Sequence, residues 1–215
     1  MSTNTQSNPT ALVWKLVAAM AFVVIASNIL VQYPVQAQIG GVNLGDILTW
    51  GAFTYPAAFL VTDLSNRAFG PAIARRVVVF GFTLAVLLSI FLATPRIAIA
   101  SGSAFLVAQL LDVSVFDRLR NGIWWKAPLV SSLLGSAIDT VIFFSLAFAP
   151  MFGFLDLGGA DGSLGFPAPF LGIGGEVPLW TSLAVGDFLV KILVGVALLG
   201  PYGLLRRRVR MQAAA

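Results

Sequence analysis

The 215-residue sequence is 58% apolar and only 10% charged, whereas a soluble domain of this size carries about 25% charged residues. It contains no cysteine and no histidine, which excludes disulfides, thiolate metal sites, cysteine nucleophiles and histidine-dependent catalytic triads. The formal net charge is +4 at pH 7. We interpret the chain as an all-α integral membrane protein that lies in the lipid bilayer and is expected to need no metal or cofactor.

Six segments are long and apolar enough to cross about 30 Å of hydrocarbon as helices, which takes about 20 residues each. In chain order they are residues 11–34, 47–66, 73–94, 97–117, 126–149 and 179–205. They predict one transmembrane domain over residues 11–205, between a cytoplasmic tail at 1–10 and a basic cytoplasmic tail at 206–215. A faint similarity between residues 59–64 and 105–110 suggests two three-helix halves.

The basic residues predict the orientation of these spans. Of the 13 lysines and arginines, 11 fall on one side of the predicted membrane domain, only Arg96 falls on the other, and Lys191 lies within the last span. Because cytoplasmic loops are enriched in Lys and Arg, we expect both termini in the cytoplasm. The arginine clusters are therefore interpreted as topology signals and not as a nucleic-acid surface.

The connection over residues 151–177 is the only long one between the predicted spans. It contains eight glycines, two prolines and three acidic residues, and no lysine or arginine. We expect an irregular external loop here, with a lid over the molecule as one interpretation.

Polar residues within the spans are the candidates for function, because ionisable groups in a bilayer usually face a cavity or a partner. Asp139 lies near mid-span without a basic neighbour on its own helix, so it must pair across helices, be protonated or face water. Asp187 and Lys191 are four residues apart on one helix, and one interpretation is that they neutralise one another. The other candidates are Asn28, Gln32, Tyr55, Asp63, Gln109 and Asp112.

Structural roles explain some of these residues equally well. Asp63 with Arg67, and Asp117 with Arg118 or Arg120, are candidate ion pairs at the membrane interface. An intramembrane aspartyl protease is the rival class of function, since Gly186-Asp187 matches half of a G-x-G-D signature. Position 184 is alanine, however, and Lys191 would keep Asp187 ionised. An enzyme is therefore not expected.

Several motifs, in order along the chain, resemble the queuosine precursor transporter family, also known as the vitamin uptake transporters. The resemblance covers residues 26 to about 205, except the connection 151–177. One departure is Ser114, where members of the family often have histidine, so a coupling scheme that needs that histidine cannot operate here. The matching motifs are Ala26-Ser27-Asn28, Val31-Gln32-Tyr33-Pro34, Thr49-Trp50-Gly51-Ala52-Phe53, Thr62-Asp63-Leu64, Arg67-Ala68-Phe69-Gly70, Gln109-Leu110-Leu111-Asp112-Val113, Val115-Phe116, Arg118-Leu119-Arg120, Trp124-Trp125, Ala127-Pro128, Ser136-Ala137-Ile138-Asp139-Thr140, Asp187 and Lys191.

The resemblance implies uptake of 7-deazaguanine precursors of queuosine, a modified tRNA nucleoside, across the bacterial inner membrane. The expected solutes are 7-cyano-7-deazaguanine and its aminomethyl relative. A carboxylate can accept two adjacent N–H groups of such a base, amide side chains can donate to its carbonyl, and an aromatic ring can stack on it. The predicted substrate-binding residues are Asn28, Gln32, Tyr55, Gln109, Asp139, Asp187 and Lys191, and the predicted gate or coupling residues are Asp63, Arg67 and Asp112.

The sequence leaves an alternative function, the energy source and the oligomeric state open. The chain also resembles, in size and helix count, the substrate-binding membrane subunits of energy-coupling-factor transporters for vitamins or nucleobases. The sequence is compatible with transport energised by protons, by an ATPase partner or by trapping of the precursor. It is equally compatible with a monomer and a homodimer.

Overall fold

The computed structural model describes residues 9–156 and 164–214, and these residues are mostly helical. The prediction of an all-α protein is confirmed over this part of the chain. Its seven α-helices are α1 (Pro9–Leu30), α2 (Gly51–Thr54), α3 (Pro56–Phe69), α4 (Pro71–Leu92), α5 (Pro95–Leu119), α6 (Lys126–Phe148) and α7 (Leu179–Ala214).

Five of these helices are long and apolar enough to cross a membrane: α1, α4, α5, α6 and the part of α7 that spans Leu179–Met211. They coincide with five of the six predicted segments, and all five start within two residues of the predicted position. Helix α7 differs most, because it continues past Pro201 to Ala214. The basic residues assigned to a separate tail at 206–215 therefore extend the last helix.

The second predicted span, residues 47–66, is not one uninterrupted helix. It consists of the four-residue α2, then Tyr55, then α3, which starts at Pro56. Proline has no N–H group, so the helical hydrogen-bond ladder is interrupted there. Tyr55 nevertheless has helical backbone angles (φ −55°, ψ −40°), so the chain does not turn sharply between the two helices.

Helix α5 is the central helix of the bundle and packs against α4, α6 and α3. Helix α1 packs against α4 through a strip of buried residues one turn apart, which includes Leu16, Met20 and Val24. Gly81 of α4 allows this approach, since a Cβ atom there would lie 2.8 Å from Cγ of Met20. Large apolar side chains such as Phe91 cover the outside of the bundle, as expected for a surface in contact with lipid.

The helix ends define two opposite ends of the molecule. The hairpin end carries two short antiparallel hairpins, β1 (Gln38–Ile39) with β2 (Val42–Asn43) and β3 (Pro167–Pro169) with β4 (Glu176–Pro178). The two hairpins touch, because Val42 packs on Gly172. The arginine end is defined by Arg67, Arg120 and Arg206. At that end Gly70, with φ +82°, makes the tight turn from α3 into α4.

The connection 151–177 is more regular than the sequence suggested. Its described residues form a 3₁₀ segment, Pro150–Leu155, and the second hairpin, while residues 157–163 lie outside the described part. Arg96 at the start of α5 anchors this region. Its guanidinium donates to the carbonyls of Leu146 (2.8 Å) and Ala149 (2.7 Å) at the end of α6, and to Asp156 (3.0 Å).

Candidate functional site

A partly open cavity of about 340 Å³ lies in the half of the bundle nearest the hairpin end. Its size falls within the range of about 300–1,000 Å³ that is usual for small-molecule sites. Six helices and Tyr55 contribute to it, and most of the surface of its lining is apolar. The polar residues in the lining are Ser27, Asn28, Gln32, Tyr55, Ser89, Thr94, Ser101, Asp139 and Lys191.

A chain of polar side chains connects three elements at one wall of this cavity. The hydroxyl of Tyr55 donates to Oδ1 of Asp139 at 2.9 Å, and Nζ of Lys191 donates to Oδ2 of Asp139 at 2.7 Å. Lys191 also pairs with Asp187 at 2.5 Å. Thr140 donates to Asp187 at 3.1 Å. The chain therefore ties α6 and α7 to the break between α2 and α3.

Lys191 is the centre of this arrangement. Only 5% of its side chain and 5% of that of Asp139 are exposed, and its Nζ lies 5.0 Å from the centroid of the Tyr55 ring. The predicted pairing of Asp187 with Lys191 is confirmed. Of the three situations considered for Asp139, the structure shows an ion pair across helices. Buried charges of this kind are stable only when paired and hydrogen-bonded.

Asn28 and Gln32 line the cavity from α1 and the residues just after it. Nδ2 of Asn28 donates to the carbonyl of Val24 (2.9 Å), and Nε2 of Gln32 donates to the carbonyl of Asn28 (3.2 Å). The sequence suggested these amides as donors to a solute, but the structure has each of them donating to the backbone.

Two predicted residues do not line this cavity. Gln109 is fully buried and accepts a 2.6 Å hydrogen bond from Thr62, so it joins α5 to α3. Asp187 supports the cavity indirectly, through Lys191. Five of the seven predicted binding residues, namely Asn28, Gln32, Tyr55, Asp139 and Lys191, are therefore brought together in one cavity.

A second polar cluster lies deeper in the bundle, between α3, α5 and α6. Asp63 and Asp112 are buried side by side there, and Ser131 donates to Asp63 at 3.3 Å. Both oxygens of Asp112 lack a hydrogen-bond donor of good geometry within the described residues. This cluster is separate from the cavity lining and combines two of the three predicted gate or coupling residues.

Arg67, the third of those residues, joins three helices at the arginine end. It donates to the hydroxyl of Tyr202 (2.9 Å) and to the carbonyl of Arg120 (2.5 Å), and its guanidinium lies 5.0 Å from the ring centroid of Phe116. The interfacial ion pair expected between Asp63 and Arg67 is not formed within the described residues. The pair of Asp117 with Arg120 is confirmed at 3.2 Å.

The sequence did not single out Tyr202 or Arg120 as partners of Arg67, nor Ser89, Ser101 and Phe143 as cavity residues. A small polar residue in an apolar helix is a weak signal, because such residues also serve close helix packing. Tyr202 follows Pro201 within a long apolar segment, and its partner Arg67 lies 135 positions earlier in the chain.

The fold defines a multi-pass membrane protein with a cavity of small-molecule size between its helices. The chain belongs to the family described as "Putative vitamin uptake transporter", whose profile matches residues 49–94 and 85–205. No solved structure matches the chain significantly.

Three curated relatives carry a more specific name. The "Probable queuosine precursor transporter" of Haemophilus influenzae is 35% identical over 228 aligned positions, covering 93% of this chain and 88% of the relative. The "Queuosine precursor transporter" of Escherichia coli K12 is 34% identical, with 85% and 81% covered. The "Probable queuosine precursor transporter" of Bacillus subtilis is 30% identical over 46% of this chain. With its apolar helices, this relationship makes the chain a multi-pass inner-membrane protein of a transporter family.

Proposed function

We propose that this protein imports a 7-deazaguanine precursor of queuosine across the bacterial inner membrane. The solutes proposed are 7-cyano-7-deazaguanine and its aminomethyl relative. The observation that carries the proposal is the Asp139–Lys191 pair (2.7 Å) in the wall of a solute-sized cavity, in a chain whose relatives are named queuosine precursor transporters.

The chemistry of the pair suits the edge of a guanine-like base. A lysine ammonium has three N–H donors, and Lys191 uses them on Asp139 and Asp187, which leaves one. A carboxylate has about four acceptor positions, of which Asp139 uses two. The pair thus offers an acceptor beside a donor, and the base presents a ring N–H beside a carbonyl. In this proposal Asp139 accepts the N–H groups of the base and Lys191 donates to its carbonyl.

The other proposed binding residues surround this pair. Tyr55 supplies an aromatic face to the flat ring system, and Asn28 and Gln32 close the cavity from the side of α1. Asp187 keeps Lys191 in place. Gln109 supports the cavity indirectly, because its hydrogen bond with Thr62 joins α5 to α3.

We infer six crossings with both termini in the cytoplasm, with α2 and α3 together as the second crossing. Residues 51–69 rise about 28 Å at 1.5 Å per residue, close to the thickness of the hydrocarbon layer. In this orientation the hairpin end and the cavity face the outside, and the arginine end faces the cytoplasm, as the distribution of positive charge favours.

Asp63, Arg67 and Asp112 are proposed to form the inner closure of the transport path. Arg67 ties the cytoplasmic ends of α3, α5 and α7 through Tyr202 and Arg120, below a cavity that opens at the other end. The variant Arg67→Gln is expected to slow transport severalfold while leaving equilibrium binding unchanged. Transport at the normal rate would contradict this role.

Two other functions fit the chain less well. The family description favours a vitamin as solute, which would suit a substrate-binding subunit of an energy-coupling-factor transporter. Proteolysis would require two carboxylates that share a proton at the solute site, whereas Asp187 is ion-paired with Lys191. The adjacent carboxylates Asp63 and Asp112 are buried outside the lining of the cavity. We therefore propose transport without catalysis.

The identity of the solute is tested by thermal unfolding of the purified protein with a panel of deazapurines, purines and vitamins. A ligand that binds only the folded state stabilises it by RT ln(1 + [L]/Kd), so a hundredfold excess over Kd adds about 2.7 kcal/mol. Stabilisation by 7-cyano-7-deazaguanine, but not by guanine or vitamins, is expected. Stabilisation by a vitamin alone would replace the proposal with the second function.

A further inference from the structure

The α1 side of the cavity carries two side-chain amides, Asn28 and Gln32, whose oxygens are available to accept hydrogen bonds. Asn28 and Gln32 each donate an amide N–H to a backbone carbonyl one turn earlier. These bonds identify the nitrogen of each side chain and restrict the rotation of the amide. Each amide oxygen keeps both of its lone pairs, and no donor among the described residues engages Asn28 Oδ1 or Gln32 Oε1.

The wall formed by α6 and α7 differs from this one. There Lys191 and Tyr55 already direct N–H and O–H groups at Asp139, so donors and acceptors are both present. The α1 wall offers more acceptor positions than donor positions, because each amide keeps two lone pairs and one N–H. A solute that covers these oxygens without donating to them removes their water and leaves them unsatisfied, which weakens binding.

We propose that Asn28 and Gln32 determine specificity by accepting hydrogen bonds from an N–H group of the solute. This inference rests on the proposed function, in which the carbonyl and adjacent N–H groups of the base face Asp139 and Lys191. Away from that edge and its amino group, the donor that remains on free 7-cyano-7-deazaguanine is the N–H of its five-membered ring. Asn28 and Gln32 accept a hydrogen bond from this N–H group. Compounds in which that nitrogen carries a sugar or is absent therefore bind more weakly.

The test compares two ligands on wild type and on variants. The ligands are 7-cyano-7-deazaguanine and its furo analogue, in which a ring oxygen replaces the five-membered-ring N–H at nearly unchanged shape. The variants are Asn28→Leu and Gln32→Leu, which remove one acceptor each. Gln36→Leu is the matched control, since Gln36 is exposed at the hairpin end and does not line the cavity.

Wild type and Gln36→Leu are expected to bind the furo analogue about tenfold to a hundredfold more weakly than the parent base. At least one of the two cavity variants is expected to bind the parent about tenfold more weakly and to lose this discrimination. If a leucine variant shows no measurable binding, the amide exchange at that position, Asn28→Gln or Gln32→Asn, decides. It keeps an acceptor oxygen and an N–H for the backbone carbonyl one turn earlier, and it is expected to restore both binding and discrimination.

Three results would overturn the assignment. These are equal binding of both ligands by wild type, discrimination by both leucine variants as strong as that of wild type, and failure of the amide exchange to restore binding. All three leave the proposed function standing as long as wild type binds the parent base. If wild type binds neither ligand, the proposed function fails, and the assignment fails with it.

Discussion

Lys191 is the residue on which the cavity wall depends. Its ammonium holds Asp139 and Asp187 together in a nearly dry environment, and through Asp139 it positions the hydroxyl of Tyr55. A buried pair contributes little net stability, but removal of one partner leaves a charge uncompensated. The charges of these residues are therefore mutually dependent, and their substitutions should not be additive.

Lys191→Met is expected to destabilise the protein by about 3–5 kcal/mol, because two buried carboxylates lose their cation. Asp187→Asn should cost less, since Asp139 still pairs with Lys191. The measurement is thermal or denaturant unfolding of the purified variants in one detergent. The triple variant Lys191→Met, Asp187→Asn, Asp139→Asn should recover part of the loss. A Lys191→Met protein as stable as wild type would show that the pairing is dispensable.

Asp139→Asn is expected to weaken binding of 7-cyano-7-deazaguanine by about tenfold to a hundredfold, the equivalent of about 1.5–3 kcal/mol. The substitution replaces an acceptor oxygen with a donor that faces the N–H groups of the base. Asp46→Asn is the matched control, because it makes the same chemical change at the hairpin end, outside the cavity lining. Near-normal affinity of a folded Asp139→Asn protein would remove Asp139 from the site.

At the scale of residues, the sequence indicated which polar side chains are candidates for function, but not which partners most of them contact. The Asp187–Lys191 pair follows from i, i+4 spacing on one helix. The Asp139–Lys191 pair joins residues 52 positions apart, and no local pattern encodes which faces of α6 and α7 meet. Gln109 is a similar case. Its polarity within an apolar segment made it a candidate, but its contact with Thr62 depends on how α5 packs against α3.

At the scale of elements, the segment at residues 51–69 is the unusual one. A hydropathy pattern treats it as a single span, whereas Pro56 interrupts its hydrogen bonds beside Tyr55, the residue that reaches Asp139. Discontinuous helices often contribute to solute sites in transporters. Pro56 is evident in the sequence. Its effect on the helical hydrogen bonds, however, depends on the chain being helical on both sides of it, which only the structure shows.

Close packing of α6 on α3 depends on Gly135, since a Cβ atom there would lie 2.6 Å from Cε1 of the buried Phe59. Gly135→Ala is therefore expected to destabilise the protein by about 1–3 kcal/mol through overpacking. Gly195→Ala is the control, because a Cβ atom there meets nothing within 4 Å. It should be neutral or slightly stabilising, as alanine favours helix. Equal unfolding midpoints for the two variants would contradict the packing argument.

At the scale of the whole molecule, the distribution of charge favours the proposed orientation. The hairpin end has little positive charge and holds the cavity, while Arg67 joins α3, α5 and α7 at the arginine end. Five of the six spans predicted from hydropathy are present as long helices within the described residues. The hairpins were not predicted, because strands of two or three residues leave too short a pattern.

The orientation is tested by single cysteines in this naturally cysteine-free chain. Met151→Cys lies at the hairpin end and Met211→Cys on the last helix at the arginine end, and both methionine side chains are well exposed. An impermeant thiol reagent added to intact cells is expected to label the first and not the second. Labelling of position 211 alone would reverse the orientation, and labelling of both would contradict the count of six crossings.

The central claim is that this protein moves a 7-deazaguanine base across a membrane, and transport by purified protein in lipid vesicles tests it most directly. Vesicles preloaded with unlabelled 7-cyano-7-deazaguanine should exchange it for labelled base much faster with wild type than without protein, and Asp139→Asn should abolish most of this difference. Exchange in wild-type vesicles no faster than in empty ones, with the protein shown to be folded, would contradict the account.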